Sequence, residues 1–143
     1  MSRYFLDVNV MIALLDVDHV MFERAARWFH GDPAMDWMMS PIVQMGVVRI
    51  MSGPRYMSPL TPAEVVRSLR SATRLGRYRF IADDLDLLDT WVFDEDSMRG
   101  SAHITDTYLL ALAARHGAAL ATFDARIVTD AVRLPDAEVF LIP

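Results

Sequence analysis

The chain contains no cysteine and no lysine. Without cysteine there are no disulfides, thiolate metal sites or thiol nucleophiles. All 14 basic residues are therefore arginine, which excludes any chemistry that requires a lysine. Genomic base composition is the plain account of that bias. Glutamate is also scarce: only Glu23, Glu64, Glu95 and Glu138 stand beside 15 aspartates. No uncharged run reaches the roughly 18 residues of a membrane-spanning helix. The N-terminus has neither a basic region followed by an apolar stretch nor a small-residue cleavage site, so no export signal is expected. A soluble cytoplasmic protein is the expectation.

What is present is an apolar chain with a strong alternation of element types. At 143 residues and 53% apolar, residues 1–143 are expected to form a single domain with a real core. "RYFLDV" reads as a strand, with Asp7 near its end, and "NVMIALLD" follows at helical spacing with Asn9 as the cap. "HVMFERAARWFHG" reads as a helix that stops at Gly31. "SPIVQMGVVRIMSGP" starts on Ser40 as cap, with Pro41 at the first helical position. "TPAEVVRSLRSATRLG" carries the capping box Thr61 and Glu64 and stops at Gly76. "RYRFIA" predicts a strand, and "DDLDLLDTWVFDED" an acidic helix. "ITDTYLLALAARHG" predicts a helix capped by Thr105 and stopped at Gly117. "AALATF" is a buried-type strand ending at Asp124, "ARIVTDAV" reads as a helix, and "EVFLI" as a last strand. Strands alternating with helices predict an α/β fold, a mostly parallel sheet flanked by helices.

In open α/β sheets functional groups gather at the carboxyl ends of the strands. Asp7 and Asp124 each end a predicted strand, and Asp106 follows the Thr105 cap, where a helix N-terminus favours negative charge. Were the two strands neighbours, three carboxylates would meet at one sheet edge. Like charges so placed raise one another's pKa unless they share a cation. Hard oxygen donors of this type suit Mg²⁺ or Mn²⁺. Plainer roles exist for two of them. Asp106 would serve as a helix-dipole partner, and Asp124 as a turn former or as a cap for a helix beginning at Ala125. Asp7, with apolar neighbours on both sides, needs a partner in any case.

"FLDVNVMIALL", "DHVMFERAARWF", "SPIVQMGVVRIMSGPRY", "FIADDLDLLD", "HITDTYLLALAARHG" and "LATFD" follow one another in a recognisable order and spacing. In these segments the chain resembles PIN-domain ribonucleases, and among them the VapC-type toxins of prokaryotic toxin–antitoxin pairs. The resemblance covers essentially the whole chain. It implies a PIN-like fold and a Mg²⁺-dependent endoribonuclease that leaves a 5′-phosphate and a 3′-hydroxyl. It also implies a VapB-type antitoxin that folds over the site, and a homodimer. On this resemblance Asp7, Asp106 and Asp124 are the catalytic metal ligands, with Asn9, Thr105 and Thr122 in support. Gln44 falls where the family usually has a glutamate. A neutral amide accepts a hydrogen bond and orients a water, but it is no general base. Three negative charges instead of four favour one tightly held ion over two.

For a substrate, Arg67, Arg70 and Arg74 lie close to helical spacing, and together with Arg49 they are candidate RNA-binding residues. An ordinary solvated helix face is the plainer account of the first three. Two rival Mg²⁺-binding α/β classes fall on composition. Phosphoacceptor receiver domains use a lysine, and haloacid-dehalogenase-like phosphatases use an aspartate where this chain has Asn9. The alternative from another class is a PIN-like protein that mainly binds RNA or a partner, with catalysis weakened by Gln44. The methionine excess marks adaptable packing or a partner groove.

Overall fold

The computed structural model describes residues 2–143. One sheet of parallel strands holds β1 (Arg3–Leu6), β2 (Asp36–Met39), β3 (Arg77–Phe80), β4 (Ala119–Thr122) and β5 (Val139–Leu141). Their order across the sheet is β3-β2-β1-β4-β5. The helices are α1 (Val8–Leu15), α2 (Phe22–His30), α3 (Pro41–Met51), α4 (Pro62–Ala72) and α5 (Ile104–Arg115). The expected α/β architecture with a parallel central sheet is what the chain adopts.

Crossovers between parallel strands are right-handed, so the direction of travel decides which face each helix covers. From β1 the chain steps outward to β2 and β3, which stacks α1 to α4 on one face. It then doubles back past β1 to β4, which sends α5 to the other. Accordingly α1 packs on α2, α3 and α4, whereas α5 lies against β1 and β4. The winding reverses between β1 and β4, and at such a switch a crevice opens beyond the strand carboxyl ends.

Strand β2 was not expected from the sequence. Its residues, Asp-Trp-Met-Met, include no β-branched side chain, yet all are buried. Packing overrides propensity here: Trp37, Met38 and Met39 enter the same core as Phe5, Leu120 and Leu109. Asp36 is tolerated at 6% exposure because the flanking strands supply guanidinium groups, Arg3 from β1 and Arg79 from β3. Most of the methionine excess is core: Met11, Met35, Met38, Met39 and Met51 are buried, while Met45 and Met57 are exposed.

Four local expectations are corrected. Asp7, not Asn9, caps α1, with its Oδ1 accepting from the Val8 N–H at 2.7 Å. Helix α5 begins one residue before Thr105, with His103 at the cap position after a 3₁₀ turn at Ser101–His103. Ser40 occupies the cap position of α3 but makes no capping bond. Asp83 does so instead, accepting from the Ile42 N–H at 3.0 Å. The two helices expected over 83–96 and 125–132 are irregular, joined by an antiparallel bridge between Phe93 and Val132. Aspartate explains this. Asp86, Asp89, Asp94 and Asp124 each accept from the N–H two residues on, a local turn that competes with the helix.

Gly117 closes α5 as expected, at φ 68°, and Gly76 leads into β3 at φ 58°. A Cβ at Gly76 would stand 2.5 Å from the Met35 carbonyl oxygen, whereas one at Gly117 would meet nothing closer than Arg3 at 3.8 Å. Gly117→Ala should therefore cost the left-handed backbone term of about 1–2 kcal/mol. Gly76→Ala should cost distinctly more. Chemical denaturation of the two variants checks the order, and equal losses would contradict the close approach at Met35.

Candidate active site

The carboxyl ends of β1 and β4 deliver two of the expected aspartates. Asp7 follows Leu6 directly, and its N–H continues the ladder by donating to the Ala121 carbonyl at 3.1 Å. It is 5% exposed, so its charge needs partners. Oδ1 takes the Val8 N–H, and Oδ2 accepts the Thr122 hydroxyl at 3.0 Å. Thr122 Oγ1 in turn accepts from the Asp124 N–H at 3.0 Å. One buried hydroxyl thus ties the two carboxylate-bearing strand ends together. Thr122 stands between Asp7 and Asp124, at the end of β4.

Asp106 enters from the first turn of α5. It lines one cleft of about 580 Å³ with Asp7, Asn9, Arg49, Thr105, Asp124 and Arg126. Burial and then the negative charges of Asp7 and Asp124 push the Asp106 carboxyl up to about 6. The Asp7 carboxyl is raised too, chiefly by burial, against the pull of its bonds to Thr122 and Val8. Asp124 goes the other way, to about 2, because Arg126 binds it. Nε and Nη2 of Arg126 each donate to Asp124 at 2.9 Å.

As a donor set, three carboxylates lining one cleft, with Asp106 raised by burial and by the charges of the other two, suit a hard divalent cation. Among the described residues, however, no three His, Asp or Glu side chains form a ready-made metal-holding group. Both oxygens of Asp124 are engaged by Arg126 instead.

The remaining candidates are distributed. Asn9 lies in the first turn of α1 and Thr105 in that of α5, both exposed at the cleft rim. Gln44 does not line the cleft. Its side chain is near Tyr78, with Nε2 3.5 Å from the hydroxyl, in a separate groove of about 400 Å³ between α3 and α4. The helical reason is simple: Ile42, Met45, Gly46 and Arg49 form the α3 face turned to the cleft, and Gln44 is off that face. Of the four candidate RNA-binding arginines only Arg49 reaches the cleft. Arg70 borders the Gln44 groove, Arg67 a third groove beside α1, and Arg74 is exposed beyond the end of α4.

A PIN-domain family model matches residues 4–131. The chain belongs to the PIN-domain family. It is 42% identical over 130 residues to Ribonuclease VapC44 of Mycobacterium tuberculosis, covering 91% of this chain and 92% of that one. Against Ribonuclease VapC38 of the same organism, identity is 35% over 138 residues and 96% of both chains. In structure it is similar to VapBC2 from Rickettsia felis bound to a promoter DNA fragment, with a TM-score of 0.58 and 14% identity. That alignment covers 97% of this chain and 98% of the other. A second similar structure is FitAB bound to an IR36 DNA fragment, at TM-score 0.54 and 22% identity, covering 96% and 94%.

Within this PIN domain, sequence reasoning missed Arg126, Asp83 and Gly46. Arg126 had a signal, since it stands two residues after a strand-end aspartate, the reach of a turn. Gly46 also had one, being a glycine inside a helical pattern. A Cβ there would lie 3.0 Å from Val8 Cγ2, so α3 approaches α1 closely at the cleft. Asp83 had none, because its partner Ile42 is distant in sequence.

Two outcomes follow from the cleft's charges. The Asp106 carboxyl holds its proton to about pH 6 when folded but has an ordinary value of 3.8. The folded state thus binds more protons between about pH 4 and pH 6, and metal-free stability falls as pH rises through that window. Asp7 acts with the same sign, while Asp124 contributes the opposite slope at lower pH. Asp106→Asn should flatten this fall, gaining on the wild type from pH 4.5 to pH 7 in thermal melts with chelator. Parallel melting curves would contradict the charge crowding. Gln44→Glu should leave Mn²⁺ affinity unchanged by calorimetry, since position 44 opens into the neighbouring groove.

Proposed function

We propose that this PIN domain is a metal-dependent endoribonuclease, the toxin of a type II toxin–antitoxin pair. The observation that carries the reading is the meeting of Asp7, Asp106 and Asp124 in one cleft at the winding switch. Supporting it, several proteins similar to this chain over nearly its full length are named ribonucleases. Asp7, Asp106 and Asp124 would hold Mg²⁺ or Mn²⁺. The ion would supply a lowered water pKa and neutralise charge on the scissile phosphate. The protein's part is placement. Thr122 fixes the bearing of Asp7 against Asp124, and the Val8 N–H holds the other Asp7 oxygen. Asn9 and Thr105 offer an amide and a hydroxyl at the rim, where a ribose or phosphate would lie. Arg49 supplies positive charge on the α3 side.

The acidic net charge of −5 does not oppose an RNA substrate, because local charge decides binding. A partner fits as well. The groove between α3 and α4 is lined by Met39, Met45, Val48, Val66, Leu69 and Tyr78, an apolar surface open to a docking segment. We assign it to a VapB-type antitoxin, in line with the two-component complexes among the similar structures. A homodimer in the cytoplasm is the state in which we expect the toxin to act. Among the described residues no helix is long and apolar enough to cross a membrane.

The test is cleavage of structured RNA by purified protein. Cleavage should require Mg²⁺ or Mn²⁺, stop in EDTA, leave 5′-phosphate ends, and vanish in Asp7→Asn. That variant should keep its fold, since asparagine caps helices well and removing one of three crowded charges relieves repulsion. Binding of RNA without any cleavage by the wild type would support the alternative, a PIN-like binding protein.

A further inference from the structure

Resting on the ribonuclease reading, we propose that Arg126 is a phosphate-binding residue for the RNA, and that its guanidinium occupies Asp124 until a metal ion displaces it. The pair is two-pronged, with Nε on Oδ1 and Nη2 on Oδ2, both at 2.9 Å. The Arg126 backbone N–H adds a third donor to Oδ1 at 2.9 Å. A carboxylate edge that faces a planar fork in this way is offered to one cation at a time. Among the described residues, neither Asp7 nor Asp106 makes an ion pair. Asp124 is thus the one cleft carboxylate with a resident cation.

The pair is not built as a buried brace. The Arg126 side chain is 79% exposed and that of Asp124 23%. The guanidinium has no hydrogen-bond partner besides Asp124 among the described residues. It holds one anion and is free to turn to another. It also borders both the carboxylate cleft and the small hollow beside it, where Arg99 and His103 stand near Asp106. A phosphodiester presents two non-bridging oxygens with the same spacing logic as a carboxylate, so the fork suits either. When an ion takes the Asp124 edge, the fork loses its carboxylate, and an incoming phosphate becomes the anion in reach. Metal loading and RNA binding then favour each other, as any such exchange must by linkage.

Of the arginines expected to track the RNA, Arg67 and Arg70 border other grooves and Arg74 lies beyond the end of α4, so the cleft's own arginines are Arg49 and Arg126. Arg126 stands in the less obvious place, two residues from an acid that the metal needs.

The experiment compares wild type, Arg126→Gln and Arg126→Lys. Mn²⁺ affinity is read by calorimetry on metal-free protein, and KM is read on a structured RNA with saturating Mn²⁺. Both variants should bind Mn²⁺ tighter, by about threefold to fivefold, the range of a well-formed but exposed ion pair. Lysine keeps the charge but loses the fork, so tighter binding in Arg126→Lys separates occupancy from long-range charge. Arg126→Gln should raise KM and reduce its salt dependence by about one ion. Arg126→Lys should keep part of the RNA affinity. Unchanged Mn²⁺ affinity in both variants, or a gain in Arg126→Gln alone, overturns the occupancy of Asp124. An unchanged KM in Arg126→Gln overturns the phosphate role. Wild-type protein that neither binds Mn²⁺ nor cleaves RNA defeats the ribonuclease reading itself, which none of the variant outcomes does.

Discussion

The structure depends on a carboxylate placed where water is almost absent. Asp7 stands between β1 and α1, capping the helix with one oxygen and receiving the Thr122 hydroxyl on the other. Both contacts favour the charged form and burial opposes it, so the balance leaves the carboxyl raised. Asp7 is thus at once a helix cap, a link between β1 and β4, and the floor of the cleft. The side chain that organises the switch point is also the one to which we assign the chemistry.

The preference for aspartate over glutamate has a structural reading beyond the site. Asp16, Asp32, Asp86, Asp89, Asp94 and Asp124 each accept from the backbone N–H two residues ahead. A glutamate is one methylene too long for this local ring. The same habit that breaks the expected helices over 83–96 and 125–132 also presents Asp124. Its Oδ1 faces both the N–H and the side chain of Arg126, which is how a turn and an ion pair come to share one acid.

How much of this was legible in the sequence follows from distance along the chain. Local signals were read correctly: Pro41 opening α3, Thr61 capping α4 through the Glu64 N–H, Gly117 closing α5. Strand-end carboxylates were legible as well, because an acid that ends an apolar run needs a reason. Strand β2 was not, since its methionines and tryptophan gain strand character only from neighbours on both sides. Nor was the orientation of Gln44, which one residue of helical phase decides. The cap on α3 was out of reach too, because Ser40 looks like the donor's partner and Asp83 takes its place. Motif resemblance put Gln44 into the cleft, and helix geometry takes it out.

The link from Thr122 to Asp7 spans 115 positions. It closes only when β4 inserts beside β1. Helices α1 to α4 pack on one another, on the side of the sheet away from α5, and by themselves place neither Asp106 nor Asp124. The cleft is therefore a property of the closed sheet and of neither half alone, and any loosening of the β1–β4 seam would scatter its three carboxylates before it unfolded the helices.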